Sequence, residues 1–249
     1  YGEVIGVNTA IIQKSQGIGF AVPINIVKTI LPQLSEKGYV VRGYIGAGIQ
    51  RLSEDISSTF KLEPDSGVLI SSVEPDGPAS RAKMQSGDVV TEFNGRRVRT
   101  VQELLFAVAE TTPGTSVPVA IIRNGKKATV RLTVDERPDD KSRASVQETK
   151  LRRSSDEGRS ALGIETTEVD AMMAEQLGMP SPGGVYVSSV LPNSKTSGTL
   201  RPGDVILQVG KYKVSSTREL DRAISKLSKQ KTVRMMIWRG GRSIFVAVR

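Results

Sequence analysis

A chain of 249 residues with 38% apolar content is long enough to bury more than one core, and it holds neither cysteine nor histidine. Those two absences exclude disulfides, thiolate metal sites, cysteine nucleophiles and any Ser-His-Asp centre, because the last needs an imidazole base. The formal charge of +9 is concentrated late in the chain: residues 160–249 hold 13 Lys and Arg against 7 Asp and Glu, whereas residues 43–134 hold 11 against 10. The cluster Lys211, Lys213, Arg218, Arg222, Lys226, Lys229 and Lys231 fits a solvated face around a helix, not a nucleic-acid site, since the stacking aromatics of single-strand binders are missing beside it. No apolar run approaches the ~20 residues of a bilayer-spanning helix, so no membrane span is expected. The opening, Tyr1 followed by Glu3-Val4-Ile5-Gly6-Val7, lacks a charged and apolar leader pattern; the expectation is of a cut start, with any export signal outside the chain.

In chain order, the first 24 residues read as apolar strands that have lost their sheet partners, followed by a helix over 25–37. After residue 42 an internal repeat organises the sequence. Gly46 and Gly67 recur at Gly163 and Gly184, 117 residues on; Gly87-Asp88, Glu103-Leu104 and Arg123 recur 116 residues on at Gly203-Asp204, Glu219-Leu220 and Arg239. Each copy opens with a short loop, and then a β-branched strand, Val68-Leu69-Ile70 or Val185-Tyr186-Val187, runs to Pro75 or Pro192. A second strand enters at the Gly-Asp turn and leaves at Gly95 or Gly210. From Thr100 the apolar period changes: Val101, Leu104, Leu105 and Val108 follow helical spacing, with Thr100 and Glu103 forming a capping box and Pro113-Gly114 ending the helix. Ser216, Glu219, Leu220, Ala223 and Ile224 repeat that design. Hairpins at Asn124-Gly125 and Gly240-Gly241 close the copies, giving five or six strands and one main helix in each. The 137–159 segment has few apolar residues and reads as a flexible linker, in which Asp139 and Asp140 are solvated carboxylates and not a catalytic pair. Ser80 and Lys83 make a Ser-x-x-Lys pattern, best explained by chance in a surface turn.

These residues carry a resemblance. The loop, groove strand, Gly-Asp turn, capped helix and hairpin are similar to the circularly permuted PDZ domain of bacterial proteases. The segments Gly2-Glu3-Val4-Ile5-Gly6-Val7-Asn8-Thr9-Ala10, Gly17-Ile18-Gly19-Phe20-Ala21-Val22-Pro23 and Arg42-Gly43-Tyr44-Ile45-Gly46 resemble the Do/HtrA serine endopeptidases over essentially the whole chain. The resemblance implies a β-rich α+β fold: a remnant of a chymotrypsin-like β-barrel over 1–41, a PDZ domain over 42–136, a linker over 137–159 and a second PDZ domain over 160–249. It further implies that the catalytic serine, histidine and aspartate stand outside this chain, leaving Ile11 and Ile18 as specificity-pocket wall and Ser15 to Gly17 in an activation loop. No cofactor or metal is expected. The implied partners are unfolded or misfolded polypeptides and C-terminal peptides, in a periplasmic or otherwise extracytoplasmic quality-control and chaperone setting, with homo-oligomers forming through the protease domain. A non-enzymatic tandem-PDZ adaptor is the competing reading.

The expected site has a physical basis of its own. Successive backbone N–H groups at Tyr44, Ile45, Gly46 and Ala47 form a nest for a carboxylate, and the ligand's C-terminus adds a strand along Ala47, Gly48, Ile49 and Gln50. Val101, Leu105 and Val108 form the other wall, while Leu104 and Ala107 point to the core. The small Ala47 deepens the pocket and predicts large apolar C-terminal residues such as Phe or Leu. Val101 stands where many eukaryotic PDZ domains carry histidine, so their Ser/Thr selection is not expected. In the second copy the corresponding residues are Leu162, Gly163, Ile164, Thr217, Asp221 and Ile224. Acidic Asp221 predicts weaker binding of apolar tails there, and a role in intersubunit or regulatory contacts.

Overall fold

A computed structural model describes residues 2–11, 19–137, 158–159 and 162–248. The first segment is a hairpin, β1 (Gly6–Ile11) against β2 (Gly19–Pro23), followed by α1 (Ile24–Lys37), which ends at Gly38 with the left-handed backbone of a helix C-cap. Val4, Ile5, Phe20 and Leu31 remain exposed on this segment.

The first repeat contains β3 (Gly43–Tyr44), β4 (Ala47–Arg51), α2 (Glu54–Phe60), β5 (Val68–Val73), α3 (Pro78–Arg81), β6 (Val89–Phe93), β7 (Arg96–Arg97), α4 (Val101–Glu110), β8 (Ser116–Arg123), β9 (Lys126–Thr133) and β10 (Asp135–Glu136). Its main sheet runs β4-β5-β6-β8-β9, all neighbours antiparallel, with β7 beside β6; β3 and β10 pair separately. The second repeat contains β11 (Gly158–Arg159), β12 (Ile164–Glu168), α5 (Ala171–Gln176), β13 (Val185–Val190), β14 (Val205–Val209), β15 (Tyr212–Lys213), α6 (Thr217–Leu227), β16 (Val233–Arg239) and β17 (Arg242–Val248), with sheet order β11-β12-β13-β14-β16-β17 and β15 beside β14.

Both principal helices form where the capping boxes predict. Thr100 accepts a hydrogen bond from Glu103 N at 3.2 Å and the Glu103 carboxylate accepts from Arg99 N at 2.7 Å; Ser216, Glu219 and Ser215 repeat the arrangement. Leu104 and Leu220 anchor the buried faces of these helices in their cores. In each repeat the Gly-Asp turn also anchors a buried ion pair. Arg123 donates to both Asp88 oxygens at 2.7 Å and to the Lys83 carbonyl; Arg239 donates to both Asp204 oxygens at 2.7 and 2.6 Å and to the Thr199 carbonyl. Bonding to the aspartates raises both guanidinium pKa values from their ordinary value.

Two features go beyond expectation. Besides its main helix each repeat carries a short helix on the outer face of its sheet that the sequence reading does not place, α2 in the first and α5 in the second. Their apolar positions are few, so a short helix leaves no clear period. The two repeats also pack on each other. In β5, Val68 and Ile70 enter the core of the first repeat, whereas Leu69 faces the other way and meets Phe245 of β17, together with Leu52, Ile56 and Val89. Phe60 and Phe245 meet edge to face at 6.1 Å.

Candidate functional site

The order of β4 in its sheet decides the site. Among the described residues only β5 pairs with it, so its second side is an open edge there. The chain enters that edge through Tyr44, Ile45 and Gly46. Ile45 is buried in the core and its carbonyl accepts from Ala79 N at 2.8 Å, while the Gly46 carbonyl accepts from Glu74 N at 2.9 Å. The Tyr44 hydroxyl donates to Glu74. Among the described residues no hydrogen bond engages the Ile45 or Gly46 N–H. Gly46 has φ +64°, and a Cβ there would stand 3.0 Å from Pro78 and 3.2 Å from Gly77, so both the backbone and the space call for glycine.

Helix α4 forms the opposite wall. Val101 is half-buried against the core, Leu105 is 54% exposed, and Leu104 is buried; Ala107 packs partly against the core. Val108, expected on the groove wall, is 6% exposed and sits in the core. The cause is Gly43, which lets β3 pass against the end of α4: a Cβ at Gly43 would fall 2.1 Å from the Val108 carbonyl oxygen. The accessible wall is therefore Val101 and Leu105. Ala47 and Ile49 pack against the same core as Ile45, and a bulge between Gly48 and Ile49 shifts the register on β5. Gln50, expected only as edge backbone, uses its side-chain amide as well: it donates to the Phe245 carbonyl at 2.8 Å and accepts from Phe245 N at 2.9 Å.

The second repeat has the same loop but a different edge. Gly163 has φ +70° and its carbonyl accepts from Leu191 N at 2.9 Å, matching Gly46 and Glu74. Here, however, β11 pairs antiparallel along β12, placing Gly158 opposite Thr166 and Arg159 opposite Glu165. The end of the segment read as linker thus occupies the edge that β4 leaves open. Across the groove the Thr166 and Thr217 hydroxyls lie 3.4 Å apart, with Thr166 fully buried. Leu162 and Ile164 are core residues, Ile224 packs partly against that core, and Asp221 lies on α6.

Of the first segment's candidates, Ile11 ends β1 opposite Gly19. Ile18, residues 15–17, Asp139 and Asp140 lie outside the described residues. No group of three or more His, Cys, Asp or Glu among the described residues is arranged to hold a metal.

The sequence model of the PDZ domain family matches residues 43–134 and 160–249. Curated relatives include a probable periplasmic serine endoprotease DegP-like from Halomonas elongata, 31% identical over 252 residues, which covers 100% of this chain and 51% of the relative. The same description applies to a Pseudomonas putida protein, 31% identical with 98% and 51% covered. The chain thus spans about half the length of these relatives. Among solved structures, the HtrA-type protease AlgW with a tripeptide superposes with a TM-score of 0.52 at 32% identity, over 57% of this chain and 48% of that one. AlgW with a decapeptide gives 0.51 at 33% identity, over 55% and 43%.

Proposed function

The chain belongs to the PDZ domain family through both of its repeats, and on that premise we propose that it is the substrate-binding and regulatory half of an HtrA-type serine endopeptidase of the bacterial periplasm, with the first repeat as the working peptide receptor. Residues 1–41 are then the closing strands and exit helix of a chymotrypsin-like domain, and the repeats over 42–136 and 160–249 are circularly permuted PDZ domains on either side of a 137–159 linker. The exposed Val4, Ile5, Phe20 and Leu31 support the first assignment, because apolar side chains of this size at 53 to 84% exposure suit packing against further strands.

The observation that carries the proposal is the open edge of β4 beside the Ile45 and Gly46 amides. A partner's C-terminal carboxylate docks on those N–H groups, its backbone extends β4 by one strand, and its last side chain lies between Ile49 and the Val101–Leu105 face. Large apolar termini such as Phe or Leu fit beside the small Ala47. Misfolded polypeptides offer such tails and segments, which suits a role in quality control.

Titration of a fluorescent peptide ending in Leu into the chain tests this. Amidating the peptide's C-terminus removes the charge the nest accepts and is expected to weaken binding by about tenfold or more, on the scale of one charge-assisted hydrogen-bond set. Leu105→Asp, at an exposed position, is expected to abolish binding with no loss of thermal stability. Equal affinity for the free and amidated peptide would defeat the proposal.

A further inference from the structure

The two repeats enclose a crevice of about 550 Å³, lined on one side by the end of α2, the Gln85–Asp88 turn and the β8–β9 hairpin, and on the other by Gln208, Lys211, Arg234 and Phe245. We propose that this crevice, walled by Lys61, Lys211 and Arg234, is a binding site for a phosphate-type oxyanion, separate from the peptide edge.

Arg234 is the central observation. Its guanidinium lies 4.1 Å from the centroid of the Phe60 ring and 5.7 Å from that of Phe245. Its Nε is buried and has no hydrogen-bond partner among the described residues. Burial also pulls its pKa down from the ordinary value. A desolvated guanidinium with an unmatched N–H is costly unless an acceptor reaches it. With both rings to one side of it, the guanidinium lies at the aromatic floor of the crevice it lines, a setting in which arginine N–H groups grip an oxyanion.

The surrounding charge points the same way. Arg123 also lines the crevice, but Asp88 matches it. Lys61, Lys211 and Arg234 have no ion pair among the described residues. A neighbouring cavity of about 450 Å³ shares Thr59, Lys211 and Arg234 and prolongs the cationic surface. Three unmatched cations around one space favour an anion of multiple charge; a phosphate monoester carries roughly −1.5 to −2 near pH 7, against −1 for a carboxylate. Because Lys61 belongs to the first repeat and Lys211 and Arg234 to the second, the anion bridges the two.

The test titrates inorganic tripolyphosphate into the full chain by calorimetry at constant ionic strength, with flotation on phosphatidylglycerol-in-phosphatidylcholine vesicles as a second arm. Saturable tripolyphosphate binding identifies a free anion as ligand; flotation without it identifies a lipid-borne phosphate. In either arm, K61Q/K211Q, made at two exposed positions that leave the fold intact, is expected to weaken binding by about tenfold or more, while R97Q/R99Q, which removes two charges remote from the crevice, leaves it unchanged. Absence of binding in both arms, or equal binding by K61Q/K211Q and the unaltered chain, overturns the assignment.

Discussion

Asp88 and Asp204 are 1% exposed, and each is held by an arginine 35 residues further along and by a backbone N–H three residues earlier. Removing the arginine strands a buried carboxylate, so Arg239→Ala is expected to destabilise the second repeat by about 3–5 kcal/mol in a denaturant titration. Adding Asp204→Asn should recover part of that loss, since the stranded charge goes with it. Both partners stood out in the sequence as repeated positions, yet their pairing did not: spacing alone does not say which turn a hairpin arginine reaches. Glu219 gives a pH signature at the same scale. The Ser215 hydroxyl and N–H hold its carboxyl below the usual range. A depressed folded value means that the stabilisation is present above the unfolded glutamate pKa of about 4.3 and fades as pH falls through the folded value. Glu219→Gln should therefore flatten the acid limb of the stability curve, visible as a smaller difference in Tm between pH 6 and the acid range.

Strand edges separate the repeats more than side chains do. The sequence placed both glycine loops, the strands that follow them and both capped helices, because glycines, alternation and capping boxes are local signals. It reads a weaker second site from Asp221; what the structure shows is a different feature, the pairing of β11 along β12. Two residues with no apolar pattern cannot announce a strand; only the edge they meet defines them. Arg159→Pro removes an N–H and disfavours that pairing. With the edge released, the second repeat is expected to gain measurable affinity for tail peptides, detectable by titration in a Leu105→Asp background where the first site is silent. No gain would show that the closed Thr166–Thr217 face, and not β11, blocks the groove.

At the scale of the molecule, the repeats behave as one packed body around Phe245, which is 3% exposed among residues of the first repeat. The run Val68-Leu69-Ile70 reads in the sequence as a β-branched strand, and the packed structure adds that it is covered on both faces, with all three positions fully buried. Phe245→Ala should cost about 3–5 kcal/mol of coupling and split a single calorimetric transition into two. The reciprocal amide pair between Gln50 and the Phe245 backbone carries a further consequence. By satisfying the outward N–H and C=O of Phe245 in the middle of β17 with a side chain, Gln50 interrupts the edge along which another strand would pair. Without it, as in Gln50→Ala, the last strand would offer a template to the same strand of another molecule, and turbidity that rises with protein concentration would report it.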